Sequence, residues 1–86
     1  MSQSDSLVRV RLFARVKDLA GMDAIELPLP RGATVGELRR RLAEAKPALR
    51  DLLERCAIAV DEEFANDNLE LRPGLTVAVI PPVSGG

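Results

Sequence analysis

Between residues 7 and 13 apolar and polar positions alternate. Val8, Val10 and Leu12 fall on one side, Arg9, Arg11 and Phe13 on the other, the two-residue period of a strand with one buried face. Residues 15–21 read as a short helical turn ended by Gly21. Residues 24–29 read as a second strand that pairs antiparallel with the first. Pro28 and Pro30 have no amide hydrogen to give a ladder, so this strand sits at a sheet edge or ends there. At Thr34-Val-Gly-Glu37 a hydroxyl placed to accept from an early helix amide is followed by a carboxylate placed to reach back to the cap. Leu38, Leu42 and Ala45 then make one apolar stripe, and Arg39, Arg40 and Arg41 lie mostly off it, on a solvated face, the alternative being a patch for an acidic partner.

Pro47 stops that helix. Residues 48–55 predict a further short helical stretch, residues 56–60 an apolar strand, and residues 61–68 a polar turn with a short strand about Phe64. Arg72-Pro-Gly74 is a turn signal. Residues 76–80 are apolar throughout, which suits a strand with neighbours on both sides, and Pro81-Pro82 ends pairing. The order of elements predicts an α+β domain. One main helix packs on one face of a mixed sheet of four or five strands, in which the first and last strands pair in parallel.

Composition narrows the function. The chain has 86 residues, with 12 Lys+Arg against 13 Asp+Glu, 47 % hydrophobic and 2 % aromatic residues, one Cys and no His. That length predicts a single domain over residues 7–80, preceded by a disordered leader (1–6) and followed by a flexible tail (81–86). A formal net charge of −1 gives no basic field for nucleic acid or anionic membrane. Without His and with one Cys, the usual zinc spacings, Ser/His/Asp and Cys/His triads, iron–sulfur sets and internal disulfides are all excluded. No run approaches the ~20 apolar residues of a membrane span, and the first residues carry no signal-peptide pattern. With its single thiol the chain reads as cytoplasmic. Cys56 reads as a small buried apolar residue, since a sulfur relay needs exposure and a lowered pKa.

The end of the chain, Pro81-Pro-Val-Ser-Gly-Gly86, is unusual. Two prolines stiffen its base, and two residues without Cβ leave a thin tip. Six extended residues reach at most ~20 Å, enough for a terminal carboxylate to enter another protein's active site. Together with Val8-Arg-Val-Arg-Leu-Phe-Ala-Arg-Val-Lys-Asp-Leu-Ala-Gly21, Thr34-Val-Gly-Glu-Leu38, Ala59-Val60 and the segment from Leu69 to Gly86, this tail resembles the MoaD/ThiS sulfur-carrier family. Pro-Pro-Val-Ser-Gly-Gly points to its molybdopterin synthase branch over its thiamine branch. Where that family often has Asn after the middle Val, this chain has Asp61.

The resemblance implies a ubiquitin-like β-grasp fold and a non-catalytic sulfur donor in molybdenum-cofactor synthesis. Gly86 would be the reacting residue, its carboxylate adenylated and then thiocarboxylated, with Pro81, Pro82, Val83, Ser84 and Gly85 as the arm. The implied partners are the synthase large subunit, a ubiquitin-activating-type adenylyltransferase and a sulfur donor such as a cysteine desulfurase or rhodanese, assembled as a heterotetramer. No cofactor is held by the chain itself; ATP and Mg²⁺ are used by the activating enzyme. Phe13, Phe64 and Ile80 are the expected partner interface, the alternative for Phe64 and Ile80 being a place in the small core. Arg9, Arg11 and Lys17 are candidates for steering towards an acidic partner. Alternatives for the whole chain are a sulfur carrier for thiamine synthesis or tRNA thiolation, a covalent protein modifier, and an interaction module with an inert tail.

Overall fold

The computed structural model describes residues 6–72 and 74–82. Elements follow in the order β1 (Ser6–Leu12), α1 (Ala14–Ala20), β2 (Ala24–Leu29), α2 (Val35–Ala45), a 3-10 turn (Pro47–Leu49), α3 (Arg50–Leu53), β3 (Ala57–Val60), β4 (Glu63–Ala65) and β5 (Val77–Ile80). The strands form one mixed sheet in the order β2-β1-β5-β3-β4. β1 pairs antiparallel with β2 and parallel with β5. β5 is therefore central and β2, with its proline, is an edge, as the residue patterns predict. This is the ubiquitin-like β-grasp.

Every second strand residue faces the helices. Val8, Val10 and Leu12 join Leu27, Leu29, Ile58, Val60, Val77 and Val79 in the core, against Val35, Leu38 and Leu42 of α2. The helical layer is richer than one main helix. Val16 of α1, Leu49 of the 3-10 turn and Leu52 and Leu53 of α3 are buried with them, because an 11-residue α2 cannot cover a five-stranded sheet alone. None of the described helices is long and apolar enough to cross a membrane.

Several boundaries differ from the sequence reading. β1 starts at Ser6 inside the predicted leader; residues 1–5, and the tail beyond Pro82, lie outside the described residues. Phe13 caps α1 in an extended conformation and does not end β1. Cys56 and Thr76 precede their strands. The buried stripe of α2 begins with Val35 and omits Ala45, which is exposed where the chain turns off at Pro47.

The start of α2 is capped as the motif predicts, but only in part. Thr34 Oγ1 accepts from the Glu37 amide at 3.2 Å. The Glu37 carboxylate turns away from the cap and pairs with Arg40 and, at 3.0 Å, with Arg41 Nε. The next amides are satisfied from afar: Val35 N donates to Leu69 O and Gly36 N to Asp67 O, so two of the helix's free donors are closed by the 66–70 segment. A Cβ on Gly36 would stand 3.4 Å from Asp67. Arg39 also departs from the expected solvated face. Its guanidinium donates to Leu53 O, to Cys56 O at 2.9 Å and to Asp67 Oδ1 at 3.0 Å, tying α2 to the end of α3 and the start of β3.

Candidate functional site

The sheet face turned away from α2 carries the alternate residues of each strand. Register places Arg11 of β1 beside Ala78 of β5, Ala78 beside Ala59 of β3, and Ala59 beside Phe64 of β4, a single row across four strands. With only methyl groups at the two central positions, the row sinks between its ends. The result is an open groove of about 640 Å³ with Phe13, Phe64 and Ile80 among its lining residues. The three predicted interface residues thus come together from three separate segments. None enters the core: the Phe64 ring is 75 % exposed, Phe13 is 38 % exposed, and Ile80 is half-buried.

The arm begins at this groove. Ile80 ends the central strand, half-buried Pro81 and exposed Pro82 follow it, and the missing amide hydrogens of the two prolines stop the ladder there. Val83, Ser84, Gly85 and Gly86 lie outside the described residues.

Backbone strain collects beside the same face. Among the described residues the non-glycine positions with positive φ are Ala14 (52°), Asp61 (52°) and Glu62 (73°). Ala14 directly follows Phe13. Asp61 and Glu62 form the two-residue turn between β3 and β4 and line the groove. A two-residue hairpin turn of this hand calls for positive φ at both positions, which is why Asn-Gly is its usual sequence. Two acidic residues here cost on the order of 1 kcal/mol each. Asp61 is held by a reciprocal pair of bonds to Thr76: its amide donates to Thr76 O at 2.8 Å, and its Oδ1 accepts from Thr76 N at 3.0 Å. The Asp61 carboxylate thus supplies the acceptor that closes the turn against the start of β5.

Charged groups border the groove. The Arg11 guanidinium sits 5.1 Å from the Phe13 ring centroid, a cation–π contact that orients both side chains. Arg9 is 3.9 Å from Glu26, both largely exposed. Cys56 takes no part. It is 5 % exposed, its thiol donates to Leu52 O at 3.2 Å, and burial pushes its pKa up, so it lacks the properties of a sulfur relay.

The sequence reading missed the groove floor, Ala59 and Ala78, and its acidic rim, Asp61 and Glu62. A signal for the floor was present in the alternation of β5, where small Ala78 stands between Val77 and Val79. Nothing local announced that Ala59 would lie next to it.

The ThiS family model matches residues 10–86. The molybdopterin synthase sulfur carrier subunit of Caenorhabditis briggsae is 38 % identical over 81 residues, covering 92 % of this chain and 96 % of the relative. That of Arabidopsis thaliana is 32 % identical over 79 residues, covering 92 % and 82 %. Among solved structures, the small archaeal modifier protein 1 of Haloferax volcanii superposes with a TM-score of 0.83 at 26 % identity, covering 91 % of this chain and 99 % of that one. The complex of subunits 1 and 2 of molybdopterin-converting factor from Helicobacter pylori gives 0.65 at 28 % identity, covering 93 % and 99 %. With the family model covering residues 10–86, this chain belongs to the ThiS family.

Proposed function

We propose that this protein is the sulfur-carrying small subunit of a molybdopterin synthase, a donor without catalytic groups of its own. The observation that carries the reading is the family match running unbroken through Gly86, in a chain whose relatives bear the name of that carrier subunit. The position of Pro81 and Pro82 agrees with it, since they follow the central strand beside an open, partly apolar groove.

The chemistry follows from the weakness of a carboxylate as an acyl donor. Its charge is delocalised, and oxide does not leave. A ubiquitin-activating-type adenylyltransferase, using ATP and Mg²⁺, joins the Gly86 carboxylate oxygen to the α-phosphorus and releases pyrophosphate. The outer sulfur of a cysteine desulfurase or rhodanese persulfide then displaces AMP at the carbonyl carbon, and a thiol reductant cleaves the S–S bond of the resulting acyl disulfide, itself becoming a disulfide and leaving the thiocarboxylate. The carrier docks on the large subunit through Phe13, Phe64 and Ile80 and threads Pro81–Gly86 into its active site. There the thiocarboxylate sulfur attacks a carbon of cyclic pyranopterin monophosphate, and hydrolysis of the resulting thioester returns the Gly86 carboxylate and leaves one dithiolene sulfur on the pterin. Acid–base groups for these steps belong to the partners, in keeping with a sequence that has no His. The solved complex of the Helicobacter pylori subunits is precedent for such pairing, and a heterotetramer with carriers at the ends of a large-subunit dimer is the expected assembly.

Intact mass spectrometry after incubation with the activating enzyme, ATP and a sulfur source tests the reading. Exchange of one oxygen for sulfur at the terminus supports it, and deletion of Gly86 abolishes that exchange with little change in thermal stability. An unmodified terminus under these conditions refutes it. The likeness to small archaeal modifier protein 1 favours one second reading, a protein modifier. In that case a lysine amine, and not sulfur, attacks the activated Gly86, and the same experiment on a cell extract yields lysine conjugates.

A further inference from the structure

The groove carries opposite charges on its two sides. On the β1 and α1 side, Arg11 lines the groove itself, and Arg9 and Lys17 line an adjoining depression together with Asp23. Arg9 lies near Glu26, but among the described residues Arg11 and Lys17 form no ion pair. On the β3 and β4 side Asp61 and Glu62 line the groove, both exposed and, among the described residues, neither in an ion pair. The floor between them is Ala78 and Ala59. Arg11 and Phe64 sit three strand spacings apart, about 14 Å at ~4.8 Å per spacing. The acidic rim is also held in strained backbone, with Asp61 and Glu62 both at positive φ, a conformation that persists only where its surroundings enforce it.

We infer that the groove is polarised across the strands, and that its occupant is a protein surface of matching pattern. That surface has an apolar projection for the channel between Phe13 and Phe64, carboxylates opposite Arg11 and Lys17, and Lys or Arg opposite Asp61 and Glu62. The inference rests on the carrier reading above and adds what fixes the docking orientation. The arm leaves at one end of the groove, beside Ile80. A carrier turned half a revolution on the same apolar patch therefore aims Gly86 away from the partner's active site. Apolar contact tolerates that error. Opposite rims do not, because the reversed pose sets like charges against each other, and the correct pose is favoured from the first encounter.

The test is stopped-flow association with the molybdopterin synthase large subunit across a range of salt. Each rim is reversed in turn (Glu62→Lys; Arg11→Glu with Lys17→Glu). A control, Glu44→Lys, makes the same net-charge change as Glu62→Lys, on the helical side. Urea midpoints confirm that each variant is folded. Both rim reversals are expected to slow association about tenfold or more at low salt and to flatten its salt dependence, while the control keeps the wild-type rate. Wild-type rates in the rim variants, or an equal slowing in the control, overturn the inference and leave the carrier reading standing. A wild-type chain that binds no large subunit overturns both.

Discussion

Replacing Phe64 with alanine separates docking from folding, because the ring is 75 % exposed in the isolated chain. A phenylalanine side chain has roughly 200 Å² to bury. Folding covers about a quarter of it, some 50 Å², which at ~25 cal/mol/Å² stabilises the fold by about 1 kcal/mol. A partner that covers the remaining ~150 Å² gains up to about 4 kcal/mol from the same residue, within the range of interface hot spots. Phe64→Ala is therefore expected to lower the melting temperature by no more than about 8 °C. It is expected to weaken the complex with the large subunit by about 30-fold or more, the equivalent of ~2 kcal/mol. Leu38→Ala is the comparison. Leu38 is fully buried, and its truncation costs about 2–5 kcal/mol of stability. Differential scanning fluorimetry and isothermal titration calorimetry on the two variants read both quantities. If Phe64→Ala destabilises as much as Leu38→Ala, or binds the large subunit like the wild type, the ring is not a docking anchor. Phe13 is a weaker probe: it is mostly covered, caps α1 and lies under Arg11, so Phe13→Arg harms fold and docking together.

Arg39→Ala removes the donor shared by Leu53 O and Cys56 O and is expected to cost about 2 kcal/mol or more in urea unfolding; Arg39→Lys recovers only part of it, since an ammonium lacks the two-pronged geometry, and an unchanged midpoint in Arg39→Ala would show the bridge to be idle. Glu37 is held below its ordinary carboxylate range by Arg40 first and Arg41 second. A carboxyl whose folded pKa is depressed stabilises above its unfolded value, about 4.3, and loses that contribution as the pH falls through the folded pKa. The stability gap between wild type and Glu37→Gln is then constant from neutral pH down to about 5 and closes at lower pH; a gap that widens on acidification contradicts the pairing. Cys56, buried and with a raised pKa, is expected to react with an aromatic disulfide reagent only on unfolding, and rapid stoichiometric labelling of the native chain would place it at the surface.

Short-range patterns in the chain determined much of this molecule. Alternation in β1 named the residues that enter the core, Pro28 marked β2 as an edge strand, and Thr34 marked where α2 begins, because each depends on a residue and neighbours within one turn or one pleat. The family motif likewise sits in contiguous residues, down to Gly86. What the tertiary structure decided depends on partners far along the chain. Arg39 reads locally as one of three solvated arginines, and becomes a bridge only when α3, β3 and the 66–70 segment deliver acceptors to it. Glu37 is a plausible cap until two arginines on its own helix compete for it. Asp61 and Glu62 look like an ordinary polar turn, yet antiparallel pairing of β3 with β4 across two residues forces them to positive φ. The groove is the clearest case. Phe13, Ala78, Ala59 and Phe64 carry no shared signal, and they meet because parallel pairing of β1 with β5 and antiparallel pairing of β5 with β3 set distant segments side by side. Residue type records which face a side chain prefers, whereas the identity of its neighbour on that face is set only when the strands close on one another.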